Sequence, residues 1–215
     1  MVLVTGCGGS IGSELCRQVA RFAPRHLLLL DASEYNLYAI AAELAEANFH
    51  NVTCALGSVA DETFVQGLFA QHKPSLVLHA AAYKHVPMLE ENPWAAVTNN
   101  ILGTQRAMRA AVAHGVERFV IVSTDKAVNP ASVMGASKRI TERLMADYSE
   151  GPTRFSAVRF GNVVGSSGSV VPLFRRQIEA GGPVTVTHPD MTRFFMSISE
   201  ACQLILQAAT MHPCP

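Results

Sequence analysis

The chain has 215 residues, of which 49% are hydrophobic and 16% are charged, so it is long enough to bury a substantial core. Its 17 basic residues balance its 17 acidic residues, which argues against nucleic acid and against an anionic membrane as partners. The five cysteines form no Cys-x-x-Cys pair, and no apolar run approaches the roughly 20 residues that span a bilayer, so we expect a soluble, reduced, cytoplasmic chain.

Strand and helix patterns alternate from the first residue onward. Short apolar runs predict strands at Val2–Val4, Leu27–Leu30, Val52–Leu56, Leu76–His79, Phe119–Ser123 and Phe155–Phe160. Helical patterns follow them at Ile11–Phe22, Glu34–Ala47, Asp61–Gln71, Trp94–His114 and Val133–Tyr148. This alternation predicts an α/β fold, a doubly wound parallel sheet of Rossmann type with right-handed crossovers.

The amino-acid composition and the hydrophobic pattern of the chain change after Gly161. A loop rich in glycine and serine precedes a helical pattern at Val170–Ala180, a short apolar run at Val184–Thr187 and a last helix near Ser199–Met211. We therefore predict two domains, with the Rossmann sheet in residues 1–160 and a partial, smaller substrate-binding lobe in residues 161–215.

A glycine-rich loop joins the first strand to the first helix. Gly6, Gly9 and Gly12 form Gly-x-x-Gly-x-x-Gly, and Ser10 and Ile11 open the helix between the last two glycines. Such a loop lets the backbone approach a pyrophosphate and aims a helix N-terminus at it. Glycines also make tight turns, but the strand, loop and helix in this order favour dinucleotide binding.

Asp31 ends the second strand, where a carboxylate would hold an adenosine ribose. Its charge would repel a 2′-phosphate, which favours NAD over NADP. Arg17 and Arg21 could reach such a phosphate, so NADP stays the less favoured alternative. Asp31 could instead cap the following helix, as could Ser33.

The loop after the fourth strand begins with small residues that permit close approach by a cofactor, namely Ala80, Ala81 and Ala82. Lys84 follows on the part of the loop that should overhang the ligand, and it is a candidate for contact with substrate or cofactor. From the residues alone, His79 and His85 are more simply structural or exposed, and the eight histidines do not cluster at metal spacing.

Two asparagines, Asn99 and Asn100, lie inside a predicted helix although asparagine is a mediocre helix former. One of them could hydrogen-bond the backbone near the reacting centre. A solvated helix face is the alternative interpretation.

An acid and a base stand side by side in Thr124-Asp125-Lys126, at the end of a predicted strand. Met134 and Lys138 follow at the spacing at which a short-chain dehydrogenase carries Tyr-x-x-x-Lys. Methionine cannot transfer a proton, so tyrosine-centred chemistry is absent, and Asp125 and Lys126 offer a replacement pair of proton handlers. A local ion pair in a loop is the alternative.

These motifs together resemble one family. The segments TGCGGSIG, DASEYNLY, HAAAYKHVPMLEENP, STDKAVNPASVMGASK, RFGNVVGSSGSVVPLF and THPDMTRFF are similar to the UDP-N-acetylglucosamine 4,6-dehydratases of the polysaccharide-biosynthesis (capsule) family, within the extended short-chain dehydrogenase/reductases. The resemblance runs from Val2 to Ala209. Methionine at the tyrosine position resembles the large, membrane-anchored branch, which retains the configuration at C5 of the sugar.

The resemblance implies roles for individual residues. Thr124 would hydrogen-bond the hexose O4, Asp125 would be the acid for loss of the C6 hydroxyl, Lys126 the base for the C5 proton, and Lys138 the ligand of the nicotinamide ribose. Further cofactor contacts would come from Ser33, Ser58, Val59, Lys84 and Asn99. The UDP-sugar substrate would contact Lys84, His85, Asn162, Ser169, Val170, Thr187 and Arg193.

Some features depart from the family. Ser58 stands where the family often has an acidic residue near the adenine, and the chain carries neither the membrane segments nor the full substrate lobe of the large branch. A longer parent protein could be anchored at the cytoplasmic face of the inner membrane, and a homo-oligomer stays open. The alternatives in function are a nucleotide-sugar 4-epimerase, which would keep the tyrosine, and a truncated, non-catalytic NAD-binding module.

Overall fold

A parallel sheet of six strands forms the centre of the computed structural model, which describes residues 1–148, 150–166, 168–186 and 188–211. The strand order is β3-β2-β1-β4-β5-β6. The strands are β1 (Val2–Thr5), β2 (Leu27–Asp31), β3 (Val52–Leu56), β4 (Leu76–His79), β5 (Arg118–Thr124) and β6 (Arg154–Phe160). The predicted doubly wound α/β fold is confirmed, and the strand order reverses between β1 and β4, where open sheets of this kind bind ligands.

Helices cover both faces of this sheet. They are α1 (Ser10–Arg21), α2 (Glu34–Glu46), α3 (Glu62–His72), α4 (Val86–Glu91), α5 (Pro93–Ala95), α6 (Gly103–Ala113), α7 (Val133–Leu144), α8 (Val170–Glu179) and α9 (Ile198–Thr210). Within the described residues, no helix has both the length and the apolar character needed to cross a membrane.

The core is divided into two layers by the sheet, and β2 shows why its sequence is a continuous apolar run. Leu28 and Leu30 pack toward α3 and α6, whereas Leu27 and Leu29 pack toward α1, α2 and α9. All four leucines are buried because successive side chains of a strand point to opposite faces.

The predicted helix Trp94–His114 is wrong as a single α-helix. A seven-residue π-helix (Ala96–Leu102) separates α5 from α6. The wider turn carries Asn100, which is buried and hydrogen-bonds the backbone outside its own helix, so tertiary contacts favour this local departure. Helix α4 also occupies part of what the sequence indicated as a loop.

The chain after residue 160 contains two helices, α8 and α9, and two short strands. Strands β7 (Asn162–Val163) and β8 (Phe195–Met196) make a separate two-stranded parallel sheet, and residues 184–186 of the apolar run form no strand. Helix α9 returns to the large sheet, where Cys202 and Ile205 are buried and Arg118 donates a hydrogen bond to the Ala209 carbonyl. The domain boundary near residue 160 stays a prediction.

Candidate active site

A cavity of about 420 Å³ opens at the carboxyl ends of β1 to β4. It brings together most of the residues predicted to bind a cofactor. They are Gly6, Gly9, Asp31, Ser33, Ser58, Val59, Ala80, Ala81, Ala82 and Asn99. Leu30, Ala32, Asn36, Gly57 and Tyr83 complete the lining. Its position beside the reversal of strand order is the one at which Rossmann folds bind dinucleotides.

The glycine loop is packed too closely for side chains. Gly6 has φ +64°, and a Cβ there would lie 2.7 Å from the Ala81 Cα atom, while a Cβ on Gly12 would lie 1.9 Å from the Gly6 carbonyl oxygen. Helix α1 begins at Ser10 with no side-chain cap at Gly9. No side chain at Gly9 therefore compensates the positive end of the α1 dipole, which favours an anion at this end of the helix. Ile11 packs into the core behind the loop. A dinucleotide pyrophosphate fits this cradle.

Asp31 connects the glycine loop to the start of α2. Its Oδ2 atom accepts a hydrogen bond from the Gly8 N–H at 2.9 Å, and its Oδ1 atom accepts one from the Ser33 N–H at 2.9 Å. The cap of α2 is Ser33, whose Oγ atom accepts from the Asn36 N–H at 3.3 Å. Of the two candidate caps, the structure therefore selects Ser33.

A buried histidine supports the loop after β4. His79 contacts the Thr5 hydroxyl at 2.9 Å through Nδ1 and the Thr104 hydroxyl at 3.0 Å through Nε2. The Thr5 hydroxyl also accepts a hydrogen bond from the Ala81 N–H at 3.3 Å. Burial lowers the pKa of His79 to about 3, so the imidazole is neutral and serves the structure, as the residues alone suggested.

The two asparagines of the π-helix have different environments. Asn99 lines the cavity. Asn100 accepts a hydrogen bond from the Tyr83 N–H at 2.8 Å, and its amide nitrogen donates to the Tyr83 carbonyl at 2.9 Å and to the Ser137 hydroxyl at 3.1 Å. Asn100 thereby ties the loop after β4 to α7. The sequence predicted that one of the two asparagines could hydrogen-bond the backbone, without deciding which.

Thr124, Asp125 and Lys126 form one hydrogen-bonded group where β5 runs into a short 3₁₀-helix. The Thr124 hydroxyl donates to Asp125 Oδ1 at 2.9 Å, and the Lys126 ammonium donates to the same oxygen at 2.9 Å. Partial burial works to raise the pKa of Asp125, but the hydrogen bonds from Lys126 and Thr124 outweigh it and lower the pKa overall. The resting pair is an ion pair of carboxylate and ammonium.

Helix α7 packs directly against this group. A Cβ on Gly135 would lie 2.6 Å from the Lys126 carbonyl oxygen, so only glycine permits this approach. Met134 is 6% exposed and packs in a small apolar cluster with Leu89 and Ala96. Its contribution is apolar packing on the helix that contacts Lys126.

Lys138 lies one turn further along α7 and is buried, with its ammonium donating to the Val122 carbonyl at 2.8 Å. Burial lowers its pKa to about 8, and the Glu142 carboxylate offsets part of that effect.

Glu142 is a buried carboxylate that the sequence reasoning missed. It accepts hydrogen bonds from the Ser123 hydroxyl at 2.5 Å and from Arg159 Nε at 2.8 Å. The burial of a carboxylate depends on partners distant in sequence, so only its spacing of four residues from Lys138 could have pointed to it.

The segment after β6 brings one substrate candidate to the acid–base group. Asn162 Oδ1 accepts a hydrogen bond from the Lys126 ammonium at 2.9 Å. The main chain of Asn162 is held by the Phe194 carbonyl, to which the Asn162 N–H donates at 2.9 Å.

The other substrate candidates are spread more widely. A Cβ on Gly168 would lie 2.2 Å from His85 Cε1, which places the His85 ring beside the residues that open α8, Ser169 and Val170. Lys84 and Arg193 are exposed, and none of their described contacts joins them to Asp125 or Lys126. Thr187 lies outside the described residues.

The sheet, the glycine loop and the helix that carries Lys138 define the class of the protein, an extended short-chain dehydrogenase/reductase fold. Two NAD-bound structures share it at 23% identity. The first is the UDP-glucose 4-epimerase of Thermus thermophilus, with a TM-score of 0.83; the match covers 98% of this chain and 75% of the epimerase. The second is the dTDP-glucose 4,6-dehydratase DesIV of Streptomyces venezuelae, with a TM-score of 0.85; the match covers 95% of this chain and 70% of DesIV.

The chain belongs to the polysaccharide biosynthesis protein family, whose sequence profile matches residues 2–214. It is 51% identical to the capsular polysaccharide biosynthesis protein CapD of Staphylococcus aureus over 98% of this chain and 36% of that protein. It is 35% identical to Pen of Bacillus thuringiensis, with a TM-score of 0.89 over 98% of this chain and 65% of that one. The chain thus spans about a third of CapD and two thirds of Pen.

Proposed function

We propose that this chain is the catalytic part of an NAD-dependent nucleotide-sugar 4,6-dehydratase, which converts UDP-N-acetylglucosamine to its 4-keto-6-deoxy derivative for surface polysaccharide synthesis. The observation that carries the proposal is the hydrogen-bonded Asp125–Lys126 pair beside Met134. Without a tyrosine hydroxyl, a simple dehydrogenase or epimerase would lack its proton-transferring group, whereas a dehydratase needs an acid and a base.

The cavity supports NAD as the cofactor. A carboxylate at Asp31 would repel the 2′-phosphate of NADP, and Arg17 is held by Glu43 at 2.5 Å and by Glu14 at 3.1 Å. NAD held in this cavity would supply the redox chemistry of the reaction, as an acceptor of a hydride that can be given back to the sugar. In this proposal Lys138 on α7 would hold the nicotinamide ribose.

The proton transfers can be followed through Thr124, Asp125 and Lys126. Asp125 must be protonated when the C6 hydroxyl leaves, but in the resting structure it is a carboxylate. The Thr124–Asp125 hydrogen bond offers a route, by which the O4 proton released on oxidation of C4 passes through the Thr124 hydroxyl to Asp125.

Protonation of Asp125 also prepares its neighbour. It removes the negative charge beside Lys126, and in the proposed cycle Lys126 passes its proton to solvent and then acts as base. Lys126 then takes the C5 proton that the 4-ketone acidifies, and Asp125 gives its proton to the departing C6 oxygen as water forms. Lys126 returns the proton to C5, and a solvent proton restores the ion pair.

The test is incubation of the protein with UDP-N-acetylglucosamine and NAD, followed by mass spectrometry of the nucleotide sugar. A dehydratase yields a product lighter by one water. A 4-epimerase yields an isomer of unchanged mass, and a non-catalytic module binds NAD and leaves the sugar unaltered. Either of the last two results would overturn the proposal.

A further inference from the structure

Glu142 is a buried acid that the proposed reaction does not use. Its side chain is 7% exposed, and it lies one helical turn after Lys138 on the same side of α7. A buried carboxylate needs partners, because an unpaired charge away from water is costly. The partners of Glu142 therefore indicate what it does.

Glu142 and Lys138 hold neighbouring residues of β5. The Ser123 hydroxyl donates to Glu142 Oε1 at 2.5 Å, and the Lys138 ammonium donates to the Val122 carbonyl at 2.8 Å. Both contacts lie directly before Thr124, where the acid–base group begins. The two side chains thus fix α7 to β5 at the point where the strand enters the site.

Arg159 joins Glu142 from the neighbouring strand. It is the register partner of Ser123 on β6, and its guanidinium donates to Glu142 from Nε at 2.8 Å and from a terminal nitrogen at 2.5 Å. The Arg159 side chain is 40% exposed, whereas that of Glu142 is 7% exposed. Water therefore screens the positive end of the pair more than the negative end, so the carboxylate dominates the field on the buried side.

Lys138 responds to that carboxylate. Burial lowers the pKa of Lys138 to about 8, and the Glu142 charge works against this lowering. The titratable ring that neighbours Lys138 from β4 is His79. Burial, and then the Lys138 charge, lower the pKa of His79 to about 3, so this ring is neutral and adds no charge.

Charged groups on the other elements that pack against α7 have partners of their own. They are Asp125 and Lys126 after β5, which pair with each other, Arg106 and Arg109 of α6, which pair with Glu62, and Glu90 of α4, which is exposed and accepts from the Val133 N–H at 2.7 Å. Glu142 is thus the group that offsets the burial of Lys138.

We propose that Glu142 is a positioning residue that keeps Lys138 in its ammonium form, seated on the β5 backbone, for binding the nicotinamide ribose. An ammonium has three N–H donors, and the Val122 carbonyl takes one, which leaves two for the ribose hydroxyls. A neutral amine has one donor fewer and forms weaker hydrogen bonds. This inference rests on the proposed role of Lys138 toward NAD, and it is independent of the reaction that the sugar undergoes.

The first test is the titration of Lys138 in the protein without NAD. The chain has four lysines, so labelling lysine with ¹³C at Cε gives few NMR signals, and Lys138→Met identifies the one in question. Glu142→Gln should move the Lys138 midpoint down by about one pH unit, because an opposite charge is lost. Arg159→Gln should move it up, because the Glu142 carboxylate is then less neutralised. The signal of exposed Lys73 is the internal control.

The two variants are matched because each breaks the same ion pair by replacing a charged group with a neutral amide. If the ion pair served only to stabilise the fold, both variants would lower the unfolding temperature and leave the Lys138 midpoint unchanged. That result, or a shift in the same direction in both variants, would overturn the inference. If Glu142→Gln does not fold, the direction of the shift in Arg159→Gln decides alone.

NAD affinity separates this inference from the proposed reaction. Calorimetric titration with NAD on both sides of the Lys138 pKa of about 8 should show affinity falling as pH rises. In Glu142→Gln the fall should come about one pH unit lower, with wild-type affinity at the acidic end. A fall at the wild-type pH would overturn the inference. If UDP-N-acetylglucosamine loses no water, only the proposed reaction is overturned.

Discussion

The sheet region and the region after residue 160 differ in how far their apolar side chains are buried. In the sheet region, Leu27–Leu30 are all buried within the chain itself. In the region after residue 160, α8 has no buried residue, and Ile178 and Phe194 are 64% and 83% exposed. The sheet region, with α9 packed on it, therefore holds its shape through its own core, whereas the described residues between 168 and 196 gain little from burial within the described chain. Cofactor and substrate should accordingly meet sites of unequal rigidity.

The largest effect is expected at the group where the two regions meet. Asp125→Asn and Lys126→Ala should each lower dehydratase turnover by about 10² to 10⁴, as expected for loss of an acid or a base. Steady-state kinetics measures this, and NAD binding should be unchanged because neither residue lines the cofactor cavity.

Met134→Ala is the control for these variants. It removes packing against Leu89 and Ala96 but no proton-transferring group, so it should cost far less turnover than Asp125→Asn. Equal damage from Met134→Ala in a folded protein would contradict the proton assignments.

The contrast between the regions also predicts unequal ligand affinity. NAD should bind tightly, because its cavity is lined by residues that β1 to β4 hold in place. A UDP-sugar should bind more weakly, because Arg193 and α8 lie in the exposed region and must be ordered on binding. Isothermal titration calorimetry with each ligand tests this, and a tight UDP-sugar complex with high turnover would refute it.

The buried Lys138 tests how closely the sheet region is packed. Its pKa is lowered from 10.5 to about 8, so the buried ammonium destabilises the folded chain below pH 8. The shift corresponds to about 3 kcal/mol, and the lost hydrogen bond to Val122 offsets about 1 kcal/mol. Lys138→Met should therefore raise the free energy of unfolding by about 2 kcal/mol at pH 7 and abolish turnover.

The pH dependence follows from the sign of that shift. Between about pH 8 and 10.5 the unfolded chain holds a proton that the folded chain has released. The free energy of unfolding of the wild type should therefore rise with pH relative to that of Lys138→Met. Denaturant unfolding across this range measures the difference, with Lys73→Met, at an exposed lysine after α3, as control. A constant gap between the wild type and Lys138→Met would show that Lys138 is not desolvated.

The smallest effect is expected at Asp31. Asp31→Ala removes the charge that disfavours a 2′-phosphate and also two backbone hydrogen bonds to the glycine loop and Ser33. The ratio of NAD to NADP affinity should fall toward one, measured by titration of both cofactors. Clear preference of the unmodified protein for NADP would contradict the assignment of NAD.

The sequence predicted what depends on local periodicity. The run Leu27–Leu30 indicated a strand buried on both faces, and Gly6 and Asp31 indicated the cofactor cavity. It did not predict the π-helix at Ala96–Leu102 or the buried Glu142, because these depend on hydrogen bonds to residues far along the chain. The local hydrophobic pattern does not depend on such contacts and so cannot predict them.

The positions of two cysteines allow the opening of the glycine loop to be measured. Cys7, in the glycine loop, is buried, and burial raises the pKa of its thiol. Cys54 on β3 is exposed to reagents in solution, although partial burial raises the pKa of its thiol as well. A thiol reagent should therefore modify Cys54 before Cys7, which it reaches only when the loop opens. The delay between the two reactions measures how often the glycine loop leaves its closed form, without any label added to the chain.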